Sequence, residues 1–251
     1  MKKNKTMKLI TIVLTLILFS CGILFSFSPQ VGKILFPNKT KKLIDYNVSG
    51  IDVSNHQGKI DWKAVSQDNV KFCFIKATEG VTFKDKSFKY NLQEAKKNGV
   101  LVGAYHYFRF NKNINLQFKN YITSVDKNSI YFPPVVDVEF YGNNALKNAS
   151  NKKKFVSDLK SLLSLLEKHY GMRPIVYTDH GFYHKLLVGE LDYPFWMSDL
   201  RGQGLPYLDS TQWNFWQHSF MGRKKGIKSY VDINVFNGDL EELKNLKFNT
   251  R

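Results

Sequence analysis

Apolar runs that end in polar residues recur along the chain: GIDVSN, FCFIKATEG, VGAYHYF, VVDVEF, IVYTDH, FWMSD and FWQH. Segments of helical spacing separate the first five, so strands and helices are predicted to alternate. Strands are expected at 50–55, 70–77, 100–108, 134–140 and 174–178, with helices near 62–69, 86–98, 115–126 and 151–170 and a shorter one after the fifth strand. In the helix at 86–98, Phe88, Leu92 and Ala95 share a face, Asp85 is the expected N-cap and Gly99 the stop, while Gly171 closes the longest helix. The rhythm then breaks. Strands near 193–198, 214–219 and 231–236 follow without clear helices, and a terminal helix is expected at 239–246. Alternating βα units imply parallel strands and an α/β fold, and the broken last third implies an irregular or incomplete barrel.

A different pattern precedes the alternation. Residues 9–27, LITIVLTLILFSCGILFSF, carry no charge and follow Lys2, Lys3, Lys5 and Lys8. A cleavable signal has an apolar core of about 7 to 15 residues and a membrane-spanning helix needs about 20, so length favours an uncleaved anchor. Leu-Phe-Ser-Cys ending at Cys21 resembles a bacterial lipoprotein processing box, and Ser26 and Ser28 offer a cleavage site that Pro29 disfavours. All three routes place the rest of the chain outside the cytoplasm, in line with the lysines ahead of the run and only Lys33 close behind it. The expected organisation is a signal, membrane anchor or lipoprotein signal over 1–28, a polar tether over 29–47 and one domain over 48–251.

Composition narrows the picture. A chain of 251 residues with 43% hydrophobic content can fill a large core. Of the net +16, half belongs to the leader: residues 1–43 hold 8 basic and no acidic residues, leaving 29 basic against 21 acidic, or +8, for the remainder. A basic domain is drawn to anionic surfaces such as wall polymers or lipid headgroups, though a merely soluble basic surface has the same composition. Export and scattered lysines argue against nucleic acid. Cys73 reads as a small buried hydrophobe, and two cysteines, one of them in the leader, give no disulfide framework.

Within VVDVEF, Asp137 and Glu139 lie two apart, so in a strand both side chains leave the same face, about 6.5 to 7 Å apart at the backbone. Two like charges so close are costly to ionise together, and one carboxyl can keep its proton near neutral pH. Hydrolysis of a glycosidic bond needs such a pair. Alone, Asp-x-Glu also fits a solvent-facing strand edge. Its place at the end of an apolar run favours a site, because functional groups gather at the carboxyl ends of barrel strands.

Taken together, GIDVSNHQGKIDW, VKFCFIKATEG, GVLVGAYHYF, PPVVDVEF, RPIVYT, FWQH and VDINVFNGD resemble, in order and spacing over about residues 48–246, the lysozymes of glycoside hydrolase family 25. The resemblance implies an irregular TIM-like β/α barrel of five βα units plus three further strands. It also implies a muramidase that cleaves the β-1,4 bond between N-acetylmuramic acid and N-acetylglucosamine in peptidoglycan, working as a monomer without cofactor. Carried over by motif, Asp52, Asp137, Glu139 and Asp232 match the family's active-site acids. Glu139 is then the general acid. Asp137 stays anionic and orients the substrate's own N-acetyl oxygen, while Asp52 and Asp232 tune the pair. On the residues alone, Asp52 equally caps a turn and Asp232 equally starts a strand.

Tyr105, Tyr107, Tyr177, Trp196 and Trp216 end or flank strands and are candidates to stack on sugar, with core packing the alternative for each. Lys76 and Glu79 line the cleft or form a structural ion pair. His106 reads as a buried residue and His56 as a loop residue at the rim. No spacing resembles a metal site or a phosphate loop. The family often has Trp-x-Ala-x-Tyr where this chain has Trp196 to Leu200, so one tyrosine contact is absent. Three readings stay open: a muramidase, a barrel that binds glycan without turnover, and a hydrolase of another N-acetylated glycan such as chitin.

Overall fold

The structure, a computed structural model, describes residues 46–246 except 148, 203, 206, 207 and 209–211. The apolar run at 9–27, Cys21 and most of the expected tether lie outside the described residues. Among those described, no helix is long and apolar enough to cross a membrane.

Among the described residues nine strands form one sheet: β1 (Ser49–Val53), β2 (Phe72–Glu79), β3 (Phe83–Lys84), β4 (Leu101–Tyr107), β5 (Val135–Val138), β6 (Ile175–Asp179), β7 (Phe195–Ser198), β8 (Trp213–Gly222) and β9 (Val231–Phe236). All but β3 close into a barrel, because β1 pairs with both β2 and β9. Neighbours from β1 round to β8 are parallel, whereas β9 runs antiparallel to β8 and β1. The first five barrel strands are each followed by a helix: α1 (Trp62–Gln67), α2 (Phe88–Lys97), α3 (Ile114–Ile122), α4 (Lys152–Tyr170) and the short α5 (His180–Phe182), which runs into a π-helical turn at Tyr183–Leu187. α6 (Leu240–Lys244) ends the described chain. The expected irregular α/β barrel of five βα units and three further strands is the observed one.

Departures are local. β3 pairs with the end of β2 through a turn at Gly80, whose φ of +52° suits glycine, and nothing in the apolar pattern announces it. Asp85, expected to cap α2, lies two residues too early; Ser87 holds that position without a side-chain bond. Asp85 instead accepts from the backbone N–H groups of Ser87 (2.8 Å) and Asn55 (2.9 Å), tying the entry of α2 to the turn after β1. Tyr46, placed in the tether by sequence, packs edge-on against Trp213 and Trp216 at 5.8 and 5.9 Å.

Strand alternation divides the core in two. Outward residues such as Cys73, Ile75, Val136, Val138 and Val176 meet the apolar faces of the helices. Inward residues make a separate aromatic layer, in which Phe72, Phe74, Phe132 and Phe215 lie 4.9 to 6.2 Å apart between ring centres. Glycine makes room for it. A Cβ at Gly103 would sit 2.5 Å from the Phe74 ring, and one at Gly50 would overlap Phe72. Small residues on β1 and β4 thus let two phenylalanines of β2 fill the barrel, and this layer is the floor under everything nearer the strands' carboxyl ends.

Candidate active site

One step above the aromatic floor, the inward positions turn polar. Asp52 follows Gly50, Asp137 follows Val135, and Glu139 comes one residue beyond the end of β5. Asp232 arrives by another route. Because β9 is antiparallel, its beginning lies at the carboxyl end of the other strands, and its register puts Asp232 directly opposite Asp52. All four acids therefore meet at one end of the barrel.

Burial is the largest influence on each carboxyl, and it raises each pKa. Asp52 is raised although hydrogen bonds from Asn234, Gln217 and Asp232 oppose the shift; its Oδ2 accepts from Gln217 Nε2 (2.9 Å) and Asn234 Nδ2 (2.8 Å). Asp232 is pushed up to about 9 by burial, then by the charge of Asp52 and the hydrogen bond between them, so it holds a proton at neutral pH and donates it to Asp52. Glu139 is raised by burial, with a bond from the Tyr107 hydroxyl (3.2 Å) opposing and the charge of Asp179 adding.

Asp137 is buried as well. Sequence and resemblance cast it as a standing anion, yet it is raised well above the usual carboxylate range by burial and then by Glu139, with Lys76 opposing. Its Oδ1 is buried and makes no hydrogen bond among the described residues. A buried acceptor left open in an otherwise bonded site is costly, and it points to a partner that arrives with the substrate.

The remaining candidates separate into those that join the acids and those that do not. The Tyr107 hydroxyl lies 3.2 Å from Glu139 Oε2 and 2.9 Å from the carbonyl of Tyr141, so its single proton is shared between the two acceptors. Tyr177 donates to Gln217 Oε1 (3.0 Å), so Gln217, which also accepts from Ser198 Oγ (2.7 Å), is locked with its amide toward Asp52. Tyr105, in register with Val135, shares the inward face with the acids, and its hydroxyl is pushed well up by burial and then by the charges of Asp52 and Asp137. Lys76 lies 4.9 Å from the Tyr107 ring centre and bonds Glu79 Oε2 at 2.6 Å; Glu79 also binds Arg109, and these two cations hold its pKa down against burial.

The two tryptophans do not offer a stacking face. Trp196 is 1% exposed, stacked on Phe74 at 4.5 Å with its indole N–H on Asn234 Oδ1 (2.8 Å), so it belongs to the floor. Trp216 is on the outward side of β8 with its N–H on the carbonyl of Asp199 (2.8 Å). His106 is fully buried between Thr78 and Gln117 and is pushed down to about 4 by burial, while His56 is exposed in a 3-10 turn. Among the described residues no cluster could hold a metal ion. Sequence reasoning missed Gln217, Asn234, Arg109 and Asp179. Asn234 was within reach, two residues after Asp232 on the same face.

The model of the "Glycosyl hydrolases family 25" matches residues 51–227. The chain is 40% identical over 204 residues to "Uncharacterized protein YegX" of Escherichia coli (strain K12), covering 79% of this chain and 72% of the relative. It is 30% identical over 213 residues to "Lysozyme M1" of Streptomyces globisporus, covering 81% and 72%. Among solved structures, a family 25 glycosyl hydrolase from Bacillus anthracis superposes with a TM-score of 0.70 at 34% identity, covering 80% of this chain and 94% of the other.

Proposed function

This chain belongs to glycosyl hydrolase family 25, and from that premise we propose that Glu139 is the proton donor and Asp137 the positioning carboxylate of its active site. It is a lysozyme-type glycoside hydrolase acting on peptidoglycan. The bond cut is the β-1,4 link between N-acetylmuramic acid and N-acetylglucosamine.

The observation that carries the residue assignment is the difference between the two carboxyls. Glu139 lies past the end of β5, is only half-buried and has its oxygen oriented by Tyr107, as a group that must reach a glycosidic oxygen requires. Burial raises its pKa, in the direction that a proton donor needs. Asp137 lies deeper with Oδ1 unbonded, suited to accept the N–H of the substrate's N-acetyl group and so aim the acetyl oxygen at the anomeric carbon. As that oxygen attacks, positive charge spreads over the ring that forms, and a nearby cation lowers the pKa of Asp137. The Asp137 carboxylate, disfavoured by burial in the free site, is matched with positive charge only as that ring forms. Differential stabilisation of this kind lowers the barrier without tightening the ground state. Asp52 and Asp232, sharing a proton through their cross-strand bond, supply the remaining negative field.

Peptidoglycan lies outside the cytoplasm, so the apolar run at 9–27 is read as the export device, an uncleaved anchor with the lipoprotein route through Cys21 as its rival. Fractionation of cells decides: the intact chain found in cytosol would exclude both, and fatty acid labelling that depends on Cys21 would select the second. For the bond, the full chain is incubated with purified peptidoglycan and the new reducing ends are identified by mass. N-acetylmuramic acid ends are expected. N-acetylglucosamine ends would overturn the bond assignment, and no new ends at all would favour a barrel that only binds.

A further inference from the structure

We propose that Tyr141 is a platform on which a pyranose ring of the glycan stacks, within one sugar unit of the bond that is cut. The proposal rests on the hydrolase reading above and adds a contact to the substrate that neither motif nor relative assigns.

Tyr141 is 78% exposed, more than any other large apolar or aromatic side chain described. A single exposed aromatic is ordinary on a protein surface. What sets this one apart is how firmly its backbone is held and where. Its carbonyl accepts from the Tyr107 hydroxyl (2.9 Å) and from Arg109 Nη1 (3.2 Å). Arg109 is itself fixed, its Nε bonded to Glu79 Oε1 (2.8 Å) and its guanidinium 4.9 Å from the Tyr107 ring centre. The next residue, Gly142, takes φ +67°, and a Cβ there would overlap the Arg109 guanidinium, so the loop closes over the arginine only with glycine at that position. Beyond it the buried Asn143 donates to the carbonyls of Phe108 and Glu139 (both 3.0 Å) and accepts from the Phe110 N–H (2.8 Å). Five side-chain hydrogen bonds and a left-handed glycine thus fix the loop from Glu139 to Asn143, while its aromatic side chain faces solvent.

Position supplies the rest. The Tyr107 hydroxyl bonds Glu139 Oε2 at 3.2 Å and the Tyr141 carbonyl at 2.9 Å, so those two oxygens lie no more than about 6 Å apart. Those bonds hold the backbone of Tyr141 beside the proton donor, so its ring, which reaches further out, is placed to meet the glycan strand next to the bond. Tyrosine suits the task, because its flat apolar body covers the C–H face of a sugar, its hydroxyl reaches a sugar hydroxyl, and little conformational entropy is lost. A loop pinned before the substrate arrives loses less still.

The test replaces Tyr141 in the full chain by Ala, Phe and Trp. Hydrolysis of peptidoglycan strands is followed for KM and kcat, and binding of an oligosaccharide of alternating N-acetylglucosamine and N-acetylmuramic acid is measured in a Glu139→Gln background, where cleavage does not confuse the result. Removing one stacking face typically weakens binding by about 3- to 10-fold. Tyr141→Ala should raise KM and the dissociation constant by that amount, with the loss in KM rather than kcat, and Phe or Trp should restore both. Equal KM and equal binding across all four proteins would overturn the proposal. If the parent chain cuts nothing, the hydrolase reading falls separately, and the binding series still decides for or against Tyr141.

Discussion

Replacing Asp232 by Asn should make the protein more stable at neutral pH while damaging its activity. The carboxyl is pushed up to about 9 from an ordinary 3.8, first by burial and then by Asp52. A group whose folded pKa is raised contributes stability that is fully present below its unfolded value and is lost as pH rises through its folded value. The window here runs from about pH 4 to about pH 9. At pH 7 the unfolded chain has released this proton and the folded one has kept it, a difference of about 3 pH units, or roughly 4 kcal/mol at ~1.4 kcal/mol per unit. Partial exposure and proton sharing with Asp52 reduce this, and about 2 kcal/mol is a reasonable expectation. Asn keeps an N–H to donate to Asp52 and does not ionise. Thermal melts followed by circular dichroism should therefore show Asp232→Asn ahead of the parent by about 4 to 8 °C at pH 7. The gap should close toward pH 4 and widen toward pH 9. A variant no more stable than the parent at pH 7, or one with the same gap at every pH, would refute the shared-proton account.

Three further outcomes follow from the same geometry. Glu139→Gln should lower turnover by about 10² to 10⁴ while glycan binding survives, measured by reducing-end release alongside calorimetric titration; near-parental turnover would remove Glu139 from the donor role. Asp179→Asn should move the basic limb of the pH–activity profile toward acid, because the Asp179 charge helps raise Glu139, while an Asn at the same position still accepts from the Phe182 N–H at the start of α5. An unmoved limb would show that Glu139 is not the group titrating there. Gly103→Ala should cost about 1 to 3 kcal/mol in denaturant unfolding, since its Cβ would press on Phe74 at 2.5 Å.

The barrel was legible because each strand is an apolar run bounded by polar residues, and the acids were legible because they stand where those runs end. What stayed hidden depends on parity and direction. In FWQH both Phe215 and Trp216 are apolar, and a strand buried on both faces gives no amphipathic signal to say which faces inward. The register puts Phe215 on the floor and Trp216 outside, so of the two readings open for Trp216 it is core packing that holds. Gln217 held the clue, since a polar residue two places from Phe215 shares its face. The reversed direction of β9 is likewise absent from its own sequence, yet it alone explains why Asp232, near the start of a strand, meets acids at the ends of others. Arg109 and Asp179 went unnoticed because their effects pass through Glu79, the Tyr141 loop and Glu139 rather than through a motif.

The same floor that closes the barrel sets its chemistry. For all four carboxyls the largest cause of the raised pKa is burial rather than any neighbouring charge. That burial comes in part from below, where Trp196 stacks on Phe74 and Phe72, Phe132 and Phe215 pack around it beneath the acids. Two glycines permit this packing, so Gly50 and Gly103 act on the active site without touching it. A chain that opened the floor would hydrate its acids, lower their pKa values and gain stability at neutral pH through Asp232. It would also release the proton that Glu139 must hold. Stability and activity are opposed in this barrel through one layer of aromatic rings, and no substitution that relaxes the first is expected to leave the second unchanged.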